Sequence, residues 1–317
     1  MSSELARPPI AGVDTAELLI EGPWQHRFVA ANGARFHVAE AGQGQLVMLL
    51  HGFPQFWWAW RQQLASLAAA GYRAVAMDLR GYGASDKPPR GYDTSTLVAD
   101  VAGVIRALGE PHAAVVGHDW GGWIAWSMPS MAPAVTRGVA AVSMPHPLQL
   151  RAAMADRRQR PGFGRVLAFQ LPIRPERWLI RDGVGSILRE WGGPGYPQEQ
   201  VAAVYQRAMR VPFVAHTSLE YYRWALRSVP RRDGRRFVAA IDRPIRVPVL
   251  QLHGEADRFV LPRTARGSGR WVRGSVDWRC IPAAGHFLPE EAADQVDAAL
   301  LEWLPTLPTS PYLAARR

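Results

Sequence analysis

The chain has 317 residues, of which 48% are apolar, and it carries a net charge of +10. This size is sufficient for one large hydrophobic core with room for an inserted subdomain. The composition argues against a disulfide-rich scaffold, because there is 1 cysteine, and against a membrane-spanning protein, because no run approaches the roughly 20 apolar residues that cross a bilayer.

The N-terminal segment lacks the basic-then-apolar layout of a signal peptide, so we expect a cytoplasmic protein. The single cysteine, Cys280, is compatible with a reducing compartment. Because Cys280 lies in the strand-like run VDWRCI, we expect it to be a buried, structural thiol.

The positive charge is concentrated in one segment. Residues 146–246 contain 19 arginines and 8 acidic residues, a net charge of +11, whereas the remainder of the chain has a net charge of −1. We find no zinc-ligand spacing and no nucleic-acid motif, so we expect neither a metal nor a nucleic-acid partner. The arginines are expected to form a solvated helical face; the alternative is a preference for anionic partners or surfaces.

The first half of the chain predicts alternating strands and helices. FVAANGARFHVAEAG reads as two strands joined by a tight turn at Asn32-Gly33. QLVMLL is almost wholly apolar, which is typical of a strand covered on both faces. RQQLASLAAAG then predicts a helix ending at Gly71, RAVAMDLRG a strand, and TLVADVAGVIRALG (96–109) a helix ended by glycine.

The second half continues the alternation after one long interruption. AAVVGHDWGGWIAWSM predicts a strand, a sharp turn and a helix, and GVAAVSMPHP predicts another strand. PVLQLHGEAD and SVDWRCIPAAGH predict the last two strands, and LPEEAADQVDAALLEWL predicts one closing helix. The interruption lies between GVAAVSMPHP and PVLQLHGEAD, where residues 147–242 predict helices without any strand.

This pattern predicts an α/β fold with a mostly parallel, eight-stranded sheet and helices on both of its faces. We expect residues 1–146 and 243–317 to form the core domain. Residues 147–242 are expected to form an inserted helical cap.

Three polar residues follow predicted strands, where the reactive groups of open α/β sheets gather: Asp119, Asp257 and His286. Each has an ordinary structural explanation, as a helix N-cap, a turn residue and a loop histidine respectively. Their order along the chain, however, is the nucleophile–acid–histidine order of the α/β-hydrolase fold. Glu255 is a rival for the acid but would come too soon after its strand. The acid could also follow the strand GVAAVS, but residues 138–150 contain no aspartate or glutamate.

Asp119 occupies the position that serine takes in the G-x-S-x-G turn of many hydrolases. A serine attacking a saturated carbon would give an ether, which water does not readily cleave. An aspartate gives an ester, whose carbonyl water can attack, and with a pKa of about 4 it needs no base to ionise it. His286 then remains available to deprotonate water, with Asp257 orienting its ring. This chemistry requires no metal or organic cofactor.

Hydrolysis of that ester would place negative charge on an oxygen of Asp119, which backbone N–H groups must stabilise. We expect these donors to be the amides of Trp120, directly after the nucleophile, and Phe53, in the HGFP turn. His51 and His118 are expected to be structural hydrogen bonders.

An apolar pocket is expected between the core and the cap. Trp57, Trp120, Trp123 and Phe287 are candidate walls, although large aromatic residues at such positions are also ordinary core residues.

The motifs HGFP, DLRGYGASD, GHDWGG, HGEADRFV and AGHFLPEE together resemble those of epoxide hydrolases of the α/β-hydrolase superfamily. The resemblance extends from residue 22 to about residue 304. It implies conversion of an epoxide to a vicinal diol through a covalent alkyl-enzyme ester. It also implies the same roles for Asp119, Asp257, His286, Phe53 and Trp120.

The family additionally uses cap tyrosines that hydrogen-bond the epoxide oxygen and protonate it. The segment LEYYRW resembles one such site and implies this role for Tyr222, with Tyr221 as the alternative. The other tyrosine should lie four residues before Phe169, where this chain has Arg165. An arginine can donate hydrogen bonds there but cannot give up a proton. Tyr222 alone would then supply the proton. Two outcomes follow: slow turnover of simple epoxides, or a substrate with an anionic group that meets Arg165.

Two other functions remain open. A dehalogenase would use the same aspartate ester, but the asparagine that haloalkane dehalogenases usually carry after HG is Phe53 here. Haloacetate dehalogenases carry arginines one and four residues after the nucleophile, and this chain has Trp120 and Trp123 at those positions. The third possibility is a non-catalytic ligand-binding protein with a deep pocket. The expected partner is a small-molecule epoxide, and the expected assembly is a monomer or homodimer.

Overall fold

The computed structural model describes residues 12–310, which form one eight-stranded sheet covered by helices. The strands are β1 (Gln25–Ala31), β2 (Ala34–Ala41), β3 (Leu46–Leu50), β4 (Arg73–Met77), β5 (Ala113–His118), β6 (Thr136–Val142), β7 (Val249–Gly254) and β8 (Val276–Ile281). Their spatial order is β1-β2-β4-β3-β5-β6-β7-β8. Strand β2 runs antiparallel to both of its neighbours, and all other pairs are parallel. The predicted sheet is confirmed.

Helices cover the sheet and fill the interruption between β6 and β7. The core helices before the interruption are α1 (Arg61–Ala69), α2 (Thr94–Ala107) and α3 (Trp120–Met131). The interruption contains α4 (Pro147–Ala153), α5 (Gly164–Ala168), α6 (Arg174–Trp178), α7 (Val184–Trp191), α8 (Glu199–Met209), α9 (Val214–Arg227) and α10 (Arg232–Ile241). After β7 come α11 (Pro262–Arg266), α12 (Leu288–Glu291) and α13 (Ala293–Trp303). The structure contains no strand between β6 and β7, and the division into core and cap at 147–242 stays a prediction.

Local sequence explains several element boundaries. The β1–β2 turn places Asn32 at φ 45° and Gly33 at φ 73°, the backbone geometry that an Asn-Gly hairpin favours. Helix α2 begins two residues earlier than expected, at Thr94. The reason is the N-cap: the Asp93 side chain accepts a hydrogen bond from the Thr96 amide at 3.0 Å.

The closing helix is interrupted, contrary to the prediction of one continuous helix. Ala292 has φ −139° and ψ 45°, which ends α12 after a single turn, and α13 starts at the next residue. The short α12 turns the Glu291 carboxylate toward the loop before it, where it accepts the amide of Gly285 at 2.7 Å. Apolar periodicity carries no information about such a polar contact.

The expectation of a buried Cys280 is wrong, because its side chain is exposed. Cys280 lies on β8, and β8 is the last strand of the sheet. An edge strand has a neighbour on one side only, so part of its surface faces solvent. No helix within residues 12–310 combines the length and apolar character needed to cross a membrane.

Candidate active site

Asp119 lies at a tight reversal between β5 and α3, in a backbone conformation that L-residues rarely adopt (φ 48°, ψ −115°). Glycines make the reversal possible. A Cβ on Gly117 would lie 2.0 Å from the Gly121 carbonyl oxygen, and a Cβ on Gly121 would lie 2.1 Å from the Leu50 carbonyl oxygen. The turn therefore requires glycine at both positions, with Asp119 as its strained residue.

The two oxygens of the buried Asp119 carboxylate have different surroundings. Oδ2 accepts a hydrogen bond from the Phe53 amide at 2.8 Å. Trp120 is the first residue of α3, so its amide has no partner within the helix, and the helix N-terminus favours negative charge at this point. Oδ1 has no hydrogen-bond partner among the described residues. One oxygen is thus held by the predicted donor turn, and the other makes no hydrogen bond among these residues and lies 3.5 Å from Nε2 of His286.

The HGFP turn comes close enough to Asp119 that it also needs a glycine. A Cβ on Gly52 would lie 2.4 Å from the Asp119 Cβ. His51 fixes the turn, since its Nδ1 donates to the Gly52 carbonyl at 2.9 Å and its Nε2 accepts the Leu79 amide at 3.0 Å. Burial lowers the pKa of His51, which keeps it neutral in this bonding pattern.

The structure brings His286 between Asp119 and Asp257, as expected for a nucleophile, a base and the acid that orients the base. Its Nδ1 is 2.8 Å from Oδ2 of Asp257, and its Nε2 is 3.5 Å from Oδ1 of Asp119. The longer distance is outside good hydrogen-bond range, as is common in a site without substrate. His118 is structural, since its Nε2 donates to the His286 carbonyl at 2.8 Å.

Asp257 is fixed by its own turn. Its Oδ1 accepts the amides of Phe259 and Val260, both at 2.9 Å. Burial alone would raise the pKa of Asp257, but the charge of His286 and a hydrogen bond from His253 outweigh burial and hold the pKa well below its usual range. The rival acid, Glu255, is exposed. The structure therefore brings Asp257, and not Glu255, to the histidine.

The two carboxylates raise the proton affinity of the imidazole. Burial by itself lowers the pKa of His286, but the charge of Asp257 and contact with Asp119 outweigh it and raise the pKa to about 10. At neutral pH the resting site therefore holds an imidazolium between two carboxylates.

Glu291 holds the loop that carries His286, a feature that the sequence reasoning missed. Its carboxylate accepts three amides at 2.7 Å: those of Gly285 and Phe287, on either side of the histidine, and that of Gly193. The His286 amide itself donates to the Trp191 carbonyl, at the end of α7, at 3.0 Å. The only signal in the sequence is an acidic residue five positions after the histidine, in AGHFLPEE.

A cavity of about 370 Å³ lies beside Asp119, and apolar side chains form most of its wall. Tyr222, on α9, lines it together with Asp119. The Tyr222 hydroxyl is buried without a hydrogen-bond partner in residues 12–310. Its ring is held by edge contacts at 5.2 Å from the Phe53 ring and 5.0 Å from the Trp120 ring. One cavity is thus lined by an acceptor, Oδ1 of Asp119, and a donor, the Tyr222 hydroxyl, neither of which makes a hydrogen bond within the described residues.

Among the aromatic residues expected in the pocket wall, Trp120 and Trp123 line this cavity. Trp57 and Phe287 do not, so that expectation is corrected for both. The Trp57 indole donates to the Leu18 carbonyl at 3.0 Å, which places the ring against the segment before β1. The Phe287 ring packs behind the histidine, 5.3 Å from the His286 ring.

The two other residues expected near the substrate, Tyr221 and Arg165, lie between β6 and β7 and are also outside the cavity wall. The Tyr221 hydroxyl donates to the Arg80 carbonyl at 2.7 Å and is therefore used in packing α9 against the loop after β4. Arg165 pairs with Glu190 and lies over the Trp178 ring, 4.8 Å from its centre. Neither side chain replaces or supplements Tyr222 in this arrangement.

Comparison with known proteins agrees with the fold. Residues 45–293 match the family model described as the alpha/beta hydrolase fold. The chain is 32% identical over 310 residues to "Epoxide hydrolase A" of Mycobacterium tuberculosis, covering 88% of this chain and 96% of that protein. It is also 32% identical over 287 residues to "AB hydrolase superfamily protein YfhM" of Bacillus subtilis, covering 88% and 97% respectively.

A solved structure gives the same result at the level of the fold. The structure titled "Epoxide hydrolase from an endophytic Streptomyces" superposes with a TM-score of 0.77 at 31% sequence identity, covering 90% of this chain and 96% of that one. The chain therefore belongs to the α/β-hydrolase fold family.

Proposed function

We propose that this chain is an epoxide hydrolase that opens an epoxide to a vicinal diol through an ester on Asp119. The observation that carries the proposal is that Oδ1 of Asp119 and the hydroxyl of Tyr222 lie in the wall of one apolar cavity, both buried and both without a hydrogen bond in residues 12–310. The likeness to proteins named epoxide hydrolase over nearly the whole chain supports it.

In the first step, Oδ1 of Asp119 attacks a ring carbon and the bond from that carbon to the epoxide oxygen breaks. Oδ1 is the attacking atom because Oδ2 already accepts the Phe53 amide at 2.8 Å. The Tyr222 hydroxyl donates its proton to the leaving oxygen. Burial and the nearby Asp119 charge raise the pKa of Tyr222 far above its usual value, which keeps that proton on the phenol until the oxygen develops charge.

In the second step, His286 deprotonates a water molecule, which attacks the ester carbonyl. The carbonyl oxygen, formerly Oδ2, becomes negative and is met by the Phe53 amide and the free amide of Trp120. Alkylation removes the negative charge of Asp119, 3.5 Å from Nε2 of His286. The imidazolium loses that support and its pKa falls, so it passes its proton through water to the Tyr222 phenolate and becomes a neutral ring that can act as a base. After hydroxide has added to the ester carbon, the bond from that carbon to the substrate oxygen breaks. The acid proton of the regenerated Asp119 passes to that oxygen, the diol leaves, and the site returns to a carboxylate beside an imidazolium.

The substrate is a small apolar epoxide that fits a cavity of about 370 Å³. We further propose a cytoplasmic monomer or homodimer that requires no cofactor and binds no nucleic acid. Residues 147–242 would act as a cap that closes the cavity over a core of residues 1–146 and 243–317.

The purified chain should form diols from apolar epoxides and release no chloride from chloroalkanes of similar size. The reason is that Tyr222 supplies a proton, which an epoxide oxygen needs on ring opening and a departing halide does not. Diol formation is followed by chromatography and chloride release by ion-selective electrode. Chloride release at a rate equal to diol formation would instead support the dehalogenase alternative, for which the unpartnered indole N–H of Trp120 would be the halide donor.

The Tyr222→Phe variant should lose between about 100-fold and 10,000-fold in the rate of ester formation, as expected for removal of a general acid. Tyr221→Phe is the matched control from the same helix. It removes a hydrogen bond to the Arg80 carbonyl, which is expected to cost about 1 kcal/mol of stability while most of the activity remains. Stopped-flow measurement of ester formation distinguishes them. Equal rates in Tyr222→Phe and the wild type would remove the tyrosine from the mechanism.

The Asp119→Asn variant should lower the pKa of His286 from about 10, because it replaces one of the two carboxylates beside the ring with a neutral amide, as the ester does. Asp119 stabilises the charged form of the histidine, so its loss must shift the pKa downward. NMR titration of the imidazole measures the shift, and the exposed residue His216 in the same spectrum is the internal control. An unchanged His286 pKa would contradict the proposed switch from acid to base.

A further inference from the structure

The mouth of the active-site cavity is marked by side chains that both line the cavity and face solvent. Met154, Leu167 and Val229 meet both conditions, with exposed fractions of 44%, 61% and 41%. Met154 directly follows α4, Leu167 lies on α5, and Val229 lies between α9 and α10. Exposed aliphatic side chains grouped at one opening are a recognised mark of an interaction surface.

Two stretches of chain at this mouth are strongly basic. Residues 151–160 and 227–236 together contain 9 arginines and 2 aspartates, and Arg151 and Arg160 line the cavity itself. Both aspartates are engaged: Asp156 lies 3.1 Å from Arg263, and Asp233 accepts the Trp224 indole N–H at 3.1 Å. The local excess of positive charge is therefore not neutralised by these residues.

The nine arginines have no acidic partners in the part of the chain that the structure describes. Within residues 12–310, none of them forms an ion pair with a carboxylate. Some bind backbone carbonyls instead: Arg160 donates to the Met154 carbonyl at 3.2 Å, and Arg235 to the Pro230 carbonyl at 2.9 Å. These two bonds place guanidinium groups next to the exposed aliphatic residues of the mouth.

We propose that this mouth, defined by residues 151–167 and 227–238, docks on the surface of an anionic lipid bilayer. The arginines complement lipid phosphates, and the three aliphatic side chains enter the interfacial layer. The cavity behind them is apolar, so a lipid-soluble molecule can pass from the bilayer into it without crossing water. A nucleic acid would complement the arginines equally well but gives the exposed aliphatic residues no partner, since nucleic-acid sites use aromatic stacking.

Co-sedimentation with vesicles tests the proposal without any substrate, so its outcome is independent of the ester chemistry. The full chain should bind vesicles made of equal parts phosphatidylcholine and phosphatidylglycerol, bind pure phosphatidylcholine vesicles far less, and dissociate at high salt. The double variants Arg157→Gln/Arg158→Gln and Arg231→Gln/Arg232→Gln, one from each side of the mouth, should each weaken binding roughly 30-fold. Leu167→Ser should also weaken binding to the anionic vesicles, because it removes an exposed aliphatic side chain from the mouth.

Matched controls separate a specific surface from general charge attraction. Arg90→Gln/Arg106→Gln removes the same charge from exposed positions on the core, and Val276→Ser removes an exposed aliphatic residue from β8. Both should bind vesicles as the wild type does, and circular dichroism should show that all variants are folded. Equal loss in the core and mouth variants, no binding to anionic vesicles, or binding to duplex DNA in preference to vesicles would each overturn the proposal.

Discussion

Two carboxylates and one imidazole lie together in a buried site, and the charge of each group changes the proton affinity of the others. His286 is 2.8 Å from Asp257 and 3.5 Å from Asp119, and its raised pKa reflects both. Asp257 keeps its charge throughout the proposed cycle, whereas Asp119 loses its charge on forming an ester. The same histidine can therefore be a protonated imidazolium before that step and a neutral base after it, without any movement of the backbone.

The position of the histidine depends on contacts that reach beyond the sheet. Glu291 binds the amides on both sides of His286 and also that of Gly193, and the Trp191 carbonyl accepts the His286 amide. Gly193 and Trp191 belong to the inserted helical segment. This segment thus fixes the base as well as lining the cavity, and any large opening of it on that side would release the loop that carries His286.

Local rules in the sequence predicted the parts of the site that local structure determines. The carboxyl ends of parallel strands meet at one edge of a sheet, so residues following β5, β7 and β8 had to come together, and Asp119, Asp257 and His286 do. The direction of Arg165 could not be predicted, because it depends on Glu190, 25 residues away on another helix. The exposure of Cys280 could not be predicted either, because it depends on which strand ends the sheet.

One measurement tests the central claim, a transient bond between Asp119 and a saturated carbon, most directly. A single turnover in heavy-oxygen water, with enzyme in excess over an apolar epoxide, should place the label in the carboxylate of Asp119 and leave the diol unlabelled. Mass spectrometry of the peptide containing GHDWGG reads the result. Label in the diol together with an unlabelled Asp119 would mean that water attacks the epoxide directly, and it would contradict the account.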